Sequence, residues 1–220
     1  MKAYKLTDEN GKTQNDTQWG ENISHAASGD GKELCSDGWI HFYTHPLIAV
    51  LMNPVHAGFS SPRMWECETD GEHLHESLKS GCKTLTTLKE IPVPEVSLTQ
   101  RIAFGILCAK EVCKDKVWNE WADKWLSGED RTEESARDAY DLVYNSTAAI
   151  APHPPTAFTT AIIPTAVKSA CTAAAAAAAN NVHHRHSRAA SYAARPAAGF
   201  FHNENKIDFI KIAEKAMTYK

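Results

Sequence analysis

The pattern of hydrophobic residues changes near residue 95, and this change limits the folds open to the chain. Before it, short segments are aromatic-rich or alternate apolar with polar residues, which is typical of β-strands. After it, apolar residues recur three and four positions apart, the spacing of a helix face. Strands followed by helices predict an α+β fold, with a small antiparallel β-rich N-terminal domain followed by a helical C-terminal region.

A second change, in composition, completes the predicted domain organisation. Past the middle of the chain, alanine, threonine, proline and histidine replace large apolar residues. We predict a β-rich domain over 1–95, a helical region packed on it over 96–146, an Ala/Pro/His-rich low-complexity segment over 147–202, and a C-terminal amphipathic helix over 203–220.

Strand predictions rest on aromatic or alternating residues. The candidates are Tyr4–Thr7, Gly38–Tyr43, Arg63–Thr69 and Thr84–Val93. We expect the last of these at a sheet edge, because Pro92 cannot donate a backbone hydrogen bond. Asp70-Gly71 is predicted to turn the chain. The polar residues 14–33 indicate a long loop, which Trp19 ties to the rest of the domain.

Helix boundaries are predicted from capping residues. Thr44 is expected to cap a short helix that has Pro46 in its first turn and ends at Pro54. The later boundary residues are Ser97 or Thr99, Gly128, Asp130 with capping-box spacing to Glu133, and Asn203 or Asn205. Trp118, Trp121 and Trp125 share one helix face, which favours packing in a core.

Composition and missing motifs exclude several function classes. Lys and Arg number 23 and Asp and Glu 27, for a net charge of -4, so we expect no nucleic-acid partner. No run of apolar residues is long enough for a signal peptide or a membrane span, so we expect no membrane partner and reduced thiols. The glycine-rich phosphate loops and the Gly-x-Ser-x-Gly elbow are absent from the sequence.

Histidines and cysteines give no recognised metal motif. His73 and His75 would share one side of an extended segment, between Cys67 and Cys82 in the sequence. Their spacing matches no common zinc finger. The cluster at 183–186 is interpreted as a solvated loop, and no metal is predicted.

Four motifs carry a resemblance to a known family: Met1-Lys2-Ala3-Tyr4-Lys5, Leu34-Cys35-Ser36-Asp37-Gly38-Trp39-Ile40-His41, Pro46-Leu47 and Arg63-Met64-Trp65-Glu66. Residues 1–145 resemble an uncharacterised domain family of phage and prophage proteins, in which an Ala-rich helical region often follows. Residues 147–202 depart from that family by their prolines and histidines. The resemblance implies a viral origin and no known activity.

The leading hypothesis combines that origin with the missing catalytic motifs. It describes a phage-encoded accessory protein in the host cytoplasm that binds a host factor or a small nucleotide, in host takeover or anti-defence, without a cofactor. A structural, self-associating protein is a further alternative, because the amphipathic last helix suits a homo-oligomer as well as core packing.

The chain is also similar in layout to ADP-ribosyltransferases. The likeness implies that Lys5 and Thr44 contact NAD, that Tyr43 lies against the nicotinamide and that Glu90 stabilises the oxocarbenium-like transition state. Lys5 stands where that family has histidine or arginine. The alternative function is therefore an NAD-dependent ADP-ribosyltransferase that modifies a host target. Convergence of Tyr43 and Glu90 in one pocket favours it, and placement on opposite faces disfavours it.

Overall fold

The computed structural model describes residues 1–76, 78–148, 171–179, 188–194 and 207–220. The chain divides into two compact units, Met1–Glu95 and Val96–Lys220. An antiparallel sheet and one α-helix form most of the first unit. The described residues of the second unit form helices and their connections. This arrangement confirms the predicted α+β class.

Five strands form the sheet of the first unit: β1 Lys2–Thr7, β2 Ile23–Ala26, β3 Ile40–Phe42, β4 Arg63–His75 and β5 Ser80–Ile91. Their order is β1-β4-β5-β2, and β3 also pairs with β5. Tyr4 and Tyr43 exchange two backbone hydrogen bonds of 2.8 Å. These bonds join β1 to the residue after β3, so four of the strands form a closed circuit of pairing.

One cluster of buried apolar residues in the first unit lies on one face of these strands. Its buried apolar residues are Ala3, Trp19, Phe42, Trp65, Cys67, Cys82 and Leu85. Trp65 donates its indole N–H to Thr7 Oγ1 at 3.1 Å, so its polar atom is satisfied inside the core. Trp19 is buried, as predicted, although it lies outside the strands.

Three predictions for the strands and loops of this unit are wrong. β4 continues through Gly71 to His75, because the positive φ of Gly71 (77°) lies within a register shift between Asp70 and His73. β5 pairs on both edges, since Pro92 comes one residue after the strand ends. The predicted loop 14–33 contains β2, a four-residue strand whose only large apolar residue is Ile23.

Helix α1, Pro46–His56, differs from its prediction at both ends. His45, and not Thr44, is the N-cap, and its Nδ1 accepts a hydrogen bond of 3.3 Å from the backbone N–H of Leu47. Pro46 begins the helix, as predicted. Pro54 lies within the last turn instead of ending the helix, because its fixed φ is helical and it removes one backbone donor only.

The helices of the second unit are α2 Leu98–Val112, α3 Lys116–Ser127, α4 Glu133–Ala148, α5 171–179, α6 188–194 and α7 Phe209–Ala216. Ser97, one of the two predicted capping residues, is the N-cap of α2 and forms a capping box with Gln100. Gly128 ends α3 in the left-handed conformation, at the predicted helix end. Thr132, and not Asp130, accepts the hydrogen bond from Ser135 N–H that begins α4.

The last helix packs within this unit. Asp208 caps α7, whereas Asn203 and Asn205 lie outside the described residues. The apolar stripe of α7 (Phe209, Ile212, Ala213 and Ala216) is buried, and α7 contacts α2. The three tryptophans of α3 are also buried, as predicted. Among the helices described, none is long and apolar enough to cross a membrane.

Candidate functional site

A cleft of about 1010 Å³ lies in the first unit. Segments from β1, the 13–19 loop, the end of β2, residues 35–41 and the end of α1 line it. The lining side chains that could bind or react with a ligand are Lys5, Trp19, His25, Trp39, His41, Tyr43, His56 and Lys79. A concave site with a few convergent polar groups is the usual form of a small-molecule site.

Lys5 is the most unusual of these residues. It is 7% exposed, and its Nζ donates a hydrogen bond of 2.9 Å to the carbonyl oxygen of His41. The same atom lies 4.5 Å from the centroid of the Trp19 ring, a cation–π distance. Lys5 pairs with Trp65 in the β1–β4 register, which places it on the same face as the cluster that contains Trp65.

The surroundings of Lys5 disfavour its charged form relative to that of an exposed lysine. Burial lowers its pKa to about 8. Its titratable neighbours are the thiols of Cys67 and Cys82, and burial raises their pKa values to about 12 and about 11. Both thiols are therefore uncharged at neutral pH and give the Lys5 ammonium no counterion.

Tyr43 and His56 form a stacked pair in the cleft wall. Their ring centroids are 5.9 Å apart with an angle of 15°, and the Tyr43 hydroxyl is hydrogen-bonded to His56 Nδ1 at 3.2 Å. Burial raises the pKa of Tyr43 well above its usual value, so the phenol stays protonated. The pair joins the end of β3 to the end of α1.

Lys79 and Cys35 meet in another part of the lining. Lys79 Nζ donates a hydrogen bond to the exposed Cys35 Sγ at 3.0 Å. Nearby, His41 Nε2 lies 2.5 Å from the carbonyl oxygen of Leu34, which can only accept, so Nε2 carries the proton. Burial lowers the pKa of His41, which favours the neutral imidazole.

Two of the four residues implied by the ADP-ribosyltransferase likeness line the cleft, although strand pairing directs their side chains to opposite faces of the sheet. Lys5 and Tyr43 both line the cleft, whereas Thr44 is exposed and outside the lining. Glu90 is also outside it and accepts hydrogen bonds of 2.9 and 2.5 Å from the Arg63 guanidinium. That partner lowers the pKa of Glu90, so its carboxylate is held in an exposed ion pair.

Strand register places Tyr43 and Glu90 on opposite faces. Glu90 pairs with Trp65, which pairs with Lys5, so these three share one face. Tyr43 pairs with Tyr4, whose side chain points away from that face because alternate residues of a strand do so. The aromatic ring and the carboxylate therefore do not converge.

His73 and His75 lie on one side of β4, as their spacing predicts. Their rings stack in parallel with centroids 5.8 Å apart. Each imidazole hydrogen-bonds a hydroxyl, from Thr69 and Ser80 respectively. Within the described ranges, no group of three or more His, Cys, Asp or Glu side chains is arranged to hold a metal ion. The histidines at 183–186 lie outside those ranges.

Several lining residues were not identified from the sequence. His25 lies in β2, within the residues predicted to form a loop. His56 lies two residues beyond Pro54, where α1 was predicted to end. Lys79 and Cys35 are far apart in the chain and have no motif spacing, so their contact has no sequence signal. Cys35 and Trp39 do lie in the longest motif of the phage-family resemblance.

No family model, no curated protein and no solved structure matches this chain. The cleft and its lining residues are therefore the basis for a proposed function.

Proposed function

We propose that the first unit is a binding module for a small anionic molecule of the nucleotide class, and that the cleft is its binding site. The observation that carries this proposal is the presence of two ammonium groups, from Lys5 and Lys79, in one cleft beside the indole rings of Trp19 and Trp39. Cations attract phosphate groups, and aromatic walls favour a base.

Charge and size support the same ligand class. Asp37 is the one carboxylate among the described lining residues, against Lys5 and Lys79, and the three histidines add hydrogen-bonding groups. The volume of about 1010 Å³ is at the upper end of the range for small-molecule sites, so it can hold a mononucleotide or a dinucleotide.

A role in a phage-infected host belongs to the same proposal. Its support is the resemblance of residues 1–145 to phage and prophage proteins, and the longest shared motif, residues 34–41, contributes to the cleft wall. In that setting the ligand is a host nucleotide or a signal made from one, and the accessory protein acts by sequestering it or by responding to it. A host protein is the other partner class of this hypothesis.

The transferase alternative has less geometric support. NAD is a dinucleotide and belongs to the proposed ligand class, but Glu90 lies on the opposite face from Tyr43 and is paired with Arg63. We therefore treat transfer of ADP-ribose as an outcome of the binding experiment rather than as a second proposal.

Calorimetry with ATP, AMP and NAD tests the proposal. We expect saturable binding of at least one of them and a loss of about tenfold or more in affinity in Lys79→Met, because a charge-assisted contact is removed. Lys32→Met is the matched control, since Lys32 is exposed and outside the lining.

Two results would overturn the proposal: absence of binding by all three nucleotides, or equal losses in both variants. Incubation of the protein with NAD and a host lysate distinguishes the transferase alternative from the binding module. An added mass of one ADP-ribose on a lysate protein would favour the transferase over a pure binding module.

A further inference from the structure

The amine of Lys5 has properties that simple attraction of an anion does not require. Lys5 lines the cleft and is nearly buried, and its Nζ donates a hydrogen bond to the His41 carbonyl oxygen. An exposed lysine attracts phosphate equally well and has no burial penalty. Lys79 already supplies such a cation to the lining.

The groups around Lys5 keep part of it uncharged near neutral pH. Cys67 on β4 and Cys82 on β5 are thiols with raised pKa values, and His41 on β3 offers its backbone oxygen and a neutral ring. Since the pKa of Lys5 is lowered to about 8, roughly half of the molecules carry the free amine at pH 8. An ordinary lysine, with a pKa of 10.5, does so in about one molecule in 300 at that pH.

We propose that Lys5 is a carbonyl-reactive amine, which forms a reversible imine with an aromatic aldehyde or ketone held in the cleft. The inference rests on the cleft of the proposed function and adds a second class of ligand to it, because ATP, AMP and NAD carry no aldehyde or ketone that could form an imine. Desolvated lysines in enclosed sites are the usual amine nucleophiles of proteins.

The reaction balances without an oxidant or reductant. The lone pair of Nζ attacks the carbonyl carbon, a C–N bond forms, and the C=O π electrons move to oxygen. A proton passes from nitrogen to that oxygen, and water then leaves as the C=N bond forms. Amine and carbonyl compound therefore give imine and water, and hydrolysis returns both.

Trapping with borohydride on the full chain tests this inference. Pyridoxal 5′-phosphate is the anionic aromatic probe and benzaldehyde is the neutral one. Borohydride adds hydride to the imine carbon, which makes the adduct permanent, and peptide mass spectrometry locates it. At pH 7.5 we expect labelling of Lys5 to exceed that of exposed lysines such as Lys32 and Lys89 by about tenfold or more.

Two comparisons keep the test independent of any substitution. In the native protein, labelling of Lys5 should rise with pH along a titration curve with its midpoint near 8. In urea, the preference for Lys5 over the surface lysines should disappear. Lys5→Arg keeps the positive charge but forms no imine, so it should remove the main adduct, whereas Lys32→Arg should retain it. Labelling spread evenly over surface lysines, with Lys5 at or below their level in the native protein, would overturn the inference.

The two probes separate this inference from the proposed function. Labelling of Lys5 by benzaldehyde, with no nucleotide binding in calorimetry, would leave the reactive amine established and the anion site rejected. Nucleotide binding without any Lys5 adduct from either probe would establish the anion site and reject the reactive amine. Lys79→Met should slow labelling by the phosphate-bearing probe alone.

Discussion

The Nζ atom of Lys5 lies 2.9 Å from the carbonyl oxygen of His41, so an amine of β1 is hydrogen-bonded to β3 inside the first unit. A buried lysine beside neutral thiols destabilises the fold while it is charged, since a backbone carbonyl compensates only part of the lost hydration. Residues with strongly shifted pKa values that line clefts concentrate at functional sites. The buried Lys5 therefore marks the cleft as the candidate functional site.

The Lys5 ammonium should make stability depend on pH in a predictable direction. Because its pKa is lowered from 10.5 to about 8, the unfolded chain binds more protons between these values, and the unfolding free energy of the first unit should rise with pH across that window. The gain relative to Lys5→Met should be about 3 kcal/mol, since the variant lacks this group. Pulse proteolysis in urea, with quantification of peptides from β1 to β5, measures the difference at each pH. A constant difference between the two proteins would contradict the burial of a titrating amine.

Glu90→Gln should have a small effect on stability and none on ligand binding. Its pair with Arg63 is exposed, so the loss should not exceed about 1 kcal/mol at neutral pH. The pair lowers the pKa of Glu90, so this contribution is present above its ordinary value of 4.5 and is lost as the pH falls through the lowered value. Urea unfolding and calorimetry with NAD check both effects, with Glu68→Gln as an exposed control. Loss of NAD turnover in Glu90→Gln alone would instead support the transferase alternative.

Gly81→Ala should damage the cleft through its neighbours. A Cβ at Gly81 would lie 2.6 Å from Leu34 Cδ1 and 2.9 Å from Trp39 Cβ, so both residues must move. We expect a loss of about 1–3 kcal/mol in unfolding free energy together with weaker nucleotide binding. Gly20→Ala is the control, because its Cβ meets only the flexible end of Ile23 at 3.1 Å. Equal stability and affinity in the two variants would contradict the described packing around the cleft.

Ile212→Ala separates core packing from self-association. Ile212 is 8% exposed within the second unit, so the variant should lose about 2–5 kcal/mol of that unit's stability without a change in oligomeric state. Urea unfolding and light scattering measure the two effects, and the exposed Lys211→Ala serves as a control on the same helix. If the protein is an oligomer that Ile212→Ala dissociates while the stability of the second unit stays unchanged, the self-associating alternative would be favoured.

Local signals predicted much of the fold. Ser97 with Gln100 and Gly128 fix helix ends through their own side chains or backbone conformation, so neighbouring sequence suffices to find them. Gly71 shows the limit of such signals, because a positive φ serves a bulge as readily as a turn. Pro92 likewise marks where a strand ends and not which position the strand takes in the sheet.

The site could be predicted only in part. Lys5 and Tyr43 were singled out by layout, but strand alternation alone does not tell which face of β1 is the buried one. The burial of Lys5 follows from the closure of the strand circuit between Tyr4 and Tyr43, a contact between distant parts of the chain. Lys79 joins the cleft through the same long-range pairing, since β5 follows it and pairs with β3.

The indole N–H signals of the tryptophans give the most direct measurement of the central claim, that the cleft binds a small anionic ligand. Trp19 and Trp39 line the cleft, whereas Trp118, Trp121 and Trp125 belong to the second unit and serve as internal controls. In an NMR titration with ATP and NAD, we expect saturable shifts of the Trp19 and Trp39 signals while the three control signals stay in place. Absence of any shift with both nucleotides, or equal shifts of all these signals, would contradict the account.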